Sequence, residues 1–125
     1  MLYLNGIAIA VLELKRSSVE VADGVRQLIT NQEEIFNKHF FSTVQLVLAG
    51  SDANGLRYGT TGTPEQFFVE WKDEAPLAAG TTPATGALLD RPLALLCDKT
   101  RLLDMVRNFI IFDGGQKKVP RPHQY

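Results

Sequence analysis

The stretch Ile7-Ala8-Ile9-Ala10-Val11-Leu12-Glu13-Leu14-Lys15 decides how the rest of the chain is read. Its opening run is apolar and β-branched at Ile7, Ile9 and Val11, the pattern of a central strand buried on both faces. The run then ends in an acid and a base. Residues two apart in a strand point to the same side, so Glu13 and Lys15 share one face while Leu12 and Leu14 turn to the other. Burying an unpaired charge costs several kcal/mol, so both groups must be paired, hydrated or used. This acid and base form the strongest functional signal in the sequence.

Before this strand, Asn5-Gly6 is a strong two-residue hairpin signal, because both residues tolerate positive φ. The strand it turns from is a stub of about four residues against a partner of about nine, so more of the hairpin is expected upstream of Met1. After the strand, Ser18 is a candidate N-cap, and a helix is predicted to begin at residues 19–21. Ala22, Val25, Ile29 and Phe36 give it an apolar stripe, with Gln27, Asn31, Glu33 and Glu34 on other faces. Residues 43–49 return as an apolar strand, which makes strand, helix and strand a βαβ crossover.

Further on, Asp52, Asn54 and Gly55 read as a turn, since the spacing and closing glutamate of a calcium loop are missing. Residues 67–71 read as a strand whose tryptophan, Trp71, packs in the core. Residues 75–86 are small residues, prolines and threonines and read as a surface loop. Residues 90–97 and 99–108 have helical character, and 108–112 turn β-like before stopping at Asp113-Gly114-Gly115. The basic tail reads as a connector that does not fold by itself.

With 125 residues, 45% of them hydrophobic, the chain suits one domain with a real core. A net charge of -1 and a pI near 6.1 give no global basic signature, so any contact with nucleic acid must be local. The single cysteine, Cys97, lies in an apolar stretch and suits a reducing compartment as an inert thiol. No apolar run reaches the roughly 18 residues of a membrane span, and the start lacks the basic region of a signal peptide. A cytoplasmic protein without membrane contact is expected.

Glu13 and Lys15 have two readings. They form a structural ion pair, or they serve metal-assisted phosphodiester hydrolysis, in which a carboxylate binds a hard divalent cation and a lysine orients the attacking water and offsets phosphate charge. An aspartate on a neighbouring strand normally completes such a site, and none precedes Asp23. Gln27, on the following helix, either faces solvent or reaches the sheet end or a nucleic-acid backbone. His39 and His123 have no nucleophile beside them in sequence, and Gly114-Gly115 lacks the context of a phosphate loop.

Asn5-Gly6, Glu13-Leu14-Lys15, Gln27, Leu56-Arg57-Tyr58-Gly59-Thr60, Leu89-Asp90, residues 109–113, Lys117-Lys118 and residues 121–125 together resemble the N-terminal nuclease region of the type I restriction enzyme R (HsdR) subunit. The resemblance covers nearly the whole chain. It implies a PD-(D/E)xK core, an α/β restriction-endonuclease-like mixed sheet flanked by helices, that cuts double-stranded DNA with magnesium after an ATP-driven motor has moved it. Glu13 and Lys15 then match the catalytic motif, with Glu13 as the metal ligand. Gln27 matches the accessory glutamine that follows it, although Asn31 stands where an aromatic residue is expected. The family's aspartate would fall upstream of Met1, which makes this a partial domain that is inactive alone.

On the same resemblance, residues 1–113 are the nuclease-like domain and 114–125 a basic connector toward a helicase-like motor. There a glutamine comparable to Gln124 contacts adenine. No Walker A sequence occurs in the chain, so ATP use belongs to the motor. Methyltransferase and specificity subunits are the implied partners. The competing reading is a non-catalytic DNA-contacting or subunit-docking module in which Glu13 and Lys15 only pair.

Overall fold

The computed structural model describes residues 1–16, 18–33, 39–71 and 89–124. Strand β1 (Leu2–Leu4) turns through Asn5 and Gly6, at φ 49° and 81°, into β2 (Ile7–Leu14). Helix α1 (Val21–Asn31) crosses over to β3 (Leu46–Ser51), and β4 (Gly55–Gly59) and β5 (Val69–Glu70) complete the sheet. The five strands lie in the order β1-β2-β3-β4-β5. Only β2 and β3 run parallel, which is the pairing that a helical crossover permits. The architecture is therefore a mixed α/β sheet with helices, as the apolar segments predict.

Two cores cover the two faces of the sheet. On one, α1 packs Val21, Val25 and Leu28 against Val47 and Ala49 of β3, with Phe41, Val44 and Phe68 around them. On the other, Leu46, Leu48, Leu56 and Tyr58 meet Leu95 and Leu96 of α2 (Asp90–Leu96) and Leu102 of α3 (Lys99–Asp104). Trp71 is buried in this second core, where it lies 5.7 Å from the Tyr58 ring and under the Arg101 guanidinium. Asp98 caps α3 by accepting from the Arg101 N–H.

Several local expectations are corrected. All six residues of β3 are buried, and this strand, not β2, is the one covered on both faces. Ile7 and Leu14, at the ends of β2, are more than half exposed: Ile7 pairs with β1 but lies before the β3 ladder begins at Ala10, and Leu14 pairs with β3 but lies beyond the reach of β1. The N-cap of α1 is Glu20, not Ser18, and it caps through its backbone only. The helix ends at Asn31, before Phe36, a position outside the described residues. The expected strand at 67–71 shrinks to β5, preceded by a 3-10 turn at Glu65–Phe67.

Residues 99–108 do continue α3, but through a π-helical turn at Met105–Phe109 that buries Met105 and takes up part of the expected β segment. The β structure begins only at β6 (Ile111–Asp113), which pairs with β7 (Gln116–Lys118) across Gly114 and Gly115, both at positive φ. The hairpin and the tail beyond it are tied down: Lys117 Nζ in β7 donates to the Val44 carbonyl at 2.9 Å, and the buried Tyr58 hydroxyl donates to the Pro120 carbonyl at 2.7 Å. The loop expected at 75–86 lies outside the described residues. Among the described residues no helix is long and apolar enough to cross a membrane.

Candidate functional site

A continuous apolar run does not show which face its last residues take, and in β2 that choice is made by a bulge. Leu2 pairs with Ala10 but Tyr3 pairs with Ala8, so one step on β1 spans two on β2. Ile9 and Ala10 consequently both belong to the core under α2 and α3, while Ala8 and Val11 belong to the core under α1. From Ala10 onward β2 is locked in regular parallel register with β3, Glu13 opposite Ala49 and Leu14 opposite Gly50. The Lys15 N–H extends that ladder by donating to the Gly50 carbonyl at 2.9 Å. Val11, Glu13 and Lys15 therefore follow one another along the face that carries α1.

Gly24, buried in α1, faces the sheet there without a side chain. A Cβ on Gly24 would come 3.3 Å from Ala49 Cβ, 3.4 Å from Lys15 Cγ and 3.7 Å from Glu13 Cγ. The stems of both charged residues thus run under the first turns of the helix. One turn further along, Gln27 Oε1 accepts a 2.5 Å hydrogen bond from Lys15 Nζ, which also stands 3.4 Å from Glu13 Oε1. The Glu13 and Lys15 side chains keep about a quarter of their surface open, 26% and 23%, so the group is screened but reachable from solvent. A helix-interior glycine costs about 0.5–1 kcal/mol relative to alanine. That local cost was a readable signal, and Gly24 is the site residue that motif spacing missed.

The structure thus brings Glu13, Lys15 and Gln27 together. Asp23, on the same helix, is turned away into an exposed pair with Arg26, which also bridges to Glu65. Gln124 is placed elsewhere, in the 3-10 turn Pro122–Gln124, where its Oε1 accepts from the Arg121 N–H at 2.8 Å. His39 is exposed at the start of the 3-10 turn Phe40–Ser42.

The family model for the type I restriction enzyme R protein N terminus matches residues 1–67 of the 125. The chain belongs to this family. The matched range runs from β1 through the 3-10 turn at Glu65–Phe67 and so contains Glu13, Lys15, Gln27 and Gly24. No curated protein and no solved structure matches the chain significantly. R subunits of type I restriction enzymes are endonucleases that work within restriction-modification complexes on DNA, and a family of nucleases brings metal use into question. Among the described residues no three histidine, cysteine, aspartate or glutamate side chains gather as metal ligands. The contacts of this cluster bring in one carboxylate, that of Glu13, and an ammonium already faces it. That donor set does not make a resident magnesium site.

Proposed function

We propose that this chain is the nuclease part of the restriction subunit of a type I restriction-modification system and acts on the phosphodiester backbone of double-stranded DNA. The observation that carries the reading is the convergence of Glu13, Lys15 and Gln27 at the end of β2, inside the range that the family model matches. An ammonium has three N–H donors. Gln27 and Glu13 face the Lys15 ammonium from two directions, which fixes its position and leaves donor capacity for a phosphate oxygen brought in from solvent. Lys15 thereby offsets the charge of the scissile phosphate, Gln27 holds Lys15 in place, and Glu13 is the acidic partner, which would hold a magnesium ion only with further oxygen donors beside it.

With one carboxylate at the cluster among the described residues, cleavage by this chain alone is feeble. Residues 114–125 lead toward a motor that uses ATP, with Gln124 facing its adenine. DNA with the methyltransferase and specificity subunits are the partners.

The second reading, a non-catalytic module that contacts DNA or docks a subunit, is favoured by one fact: the Glu13–Lys15 pair already satisfies both charges without a metal. The test places Glu13→Ala or Lys15→Ala in the full R subunit, assembled with its partner subunits, ATP and magnesium on circular DNA carrying a recognition site. On the nuclease reading either change abolishes cutting while ATP hydrolysis continues. Cutting at the unaltered rate by both variants leaves only the module.

A further inference from the structure

We propose that Gly24 is the positioning residue of this site: the missing side chain sets how closely α1 approaches the sheet, and that approach is what lets Gln27 hold Lys15. The inference rests on the nuclease reading for its effect on DNA cutting, but not for its geometry. Three atoms would surround a Cβ at residue 24, and they differ in freedom. Ala49 Cβ, at 3.3 Å, belongs to a fully buried residue of a strand paired on both sides and has nowhere to go. Lys15 Cγ and Glu13 Cγ, at 3.4 and 3.7 Å, belong to the stems of the two charged groups themselves. A methyl group there is relieved either by lifting the helix off β3 or by pushing the Lys15 stem aside. Both movements act on the short Lys15–Gln27 hydrogen bond, because Gln27 sits one turn from the contact on the same helix.

The three atoms nearest a methyl at residue 24 belong to Ala49, Lys15 and Glu13 and not to the apolar anchors Val21, Val25 and Leu28, and Arg26 joins the exposed side of α1 to the 3-10 turn through Glu65 at 3.0 Å. A methyl at residue 24 therefore disturbs the site more than it disturbs the fold, which separates positioning from general packing.

The experiment pairs Gly24→Ala with Ala49→Gly, which removes the tightest of the three contacts from the opposite side. Nuclear Overhauser contacts between the Lys15 and Gln27 side chains are measured on the chain, with the melting midpoint alongside, and DNA cutting is measured in the assembled complex. Gly24→Ala is expected to abolish the Lys15–Gln27 contact and slow cutting at least tenfold, while the midpoint moves by only a few degrees. The double variant is expected to recover the contact and bring cutting to within about threefold of the unaltered protein. Should Gly24→Ala fail to fold, Ala49→Ser supplies a wedge from the sheet side and is expected to break the same contact. A Lys15–Gln27 contact that persists in Gly24→Ala, or that stays lost in a folded double variant, overturns the proposal. Loss and recovery of the contact with cutting unchanged throughout supports the positioning and removes the nuclease reading instead.

Discussion

Replacing Tyr58 by phenylalanine deletes one oxygen and tests how the end of the chain is held. Tyr58 is fully buried on β4, its ring stays packed beside Trp71 in either case, and its hydroxyl donates to the Pro120 carbonyl at 2.7 Å. The substitution therefore makes almost no cavity but removes the donor from a carbonyl inside the protein. A neutral hydrogen bond contributes about 0.5–1.5 kcal/mol net, and a buried acceptor left without its donor costs about 1–3 kcal/mol, so a loss of about 1–2 kcal/mol is expected. At about 2.1 cal/mol/K per residue, a chain of this length unfolds with an entropy near 0.26 kcal/mol/K, which converts the loss to a drop of about 4–8 °C in melting midpoint. Calorimetry of the two proteins measures it, and hydrogen exchange localises it: amides at 119–124 should lose protection first. Burial also raises the Tyr58 phenol far above its ordinary pKa, with Arg121 offsetting part of the rise, so this tyrosine should ionise only as alkali unfolds the protein. A midpoint shift below about 1 °C with unchanged exchange at 119–124 refutes the idea that this bond ties the tail to the sheet.

Two further outcomes follow from burial elsewhere. A Cβ on Gly50 would sit 2.4 Å from the buried Leu89 Cδ1 and 3.3 Å from the Gly55 carbonyl, so Gly50→Ala should destabilise by about 1–3 kcal/mol in urea unfolding, and the double variant with Leu89→Ala should lose less than the sum of the two single losses. Burial pushes the Cys97 thiol up to about 11, so alkylation at pH 8 should be slower in the native than in the denatured protein by about 100-fold. The same shift has a sign for stability: the native thiol keeps its proton where the unfolded one loses it, so its contribution falls as pH rises above the ordinary thiol range. A native labelling rate equal to the denatured one removes both statements.

The parts legible in the sequence were those with local codes. Asn5-Gly6 specifies its turn through positive φ, the order of apolar segments specifies the parallel β2–β3 crossover, and period-two spacing puts Glu13 and Lys15 on one side. What stayed hidden depends on how elements meet. The exposed ends of β2 lie where one of its two neighbours does not reach, Ile7 before the β3 ladder and Leu14 past β1, and apolarity alone does not report how far a neighbour extends. The π-helical turn at Met105–Phe109 keeps the same residues apolar as an α-helix or a strand would, so periodicity does not separate them. Gly114-Gly115, read as a stop, is a hairpin turn of the same kind as Asn5-Gly6, but its flanking strands are only three residues each. Gly24 was visible as a costly helix residue, yet its reason lies in Ala49 across the crossover.

The bulge at Ile9 has a mechanical meaning beyond the face it selects. Strands transmit orientation along their length, so in a regular ladder the insertion or loss of one residue anywhere in β2 would rotate everything after it by half a turn. Here the irregular step sits between the hairpin end and the portion indexed on β3, so the two stretches of β2 keep separate phases. Ala10 to Leu14 are geared to Leu46 to Gly50, and that gearing, not the hairpin, sets the direction in which the acid and the base leave the strand.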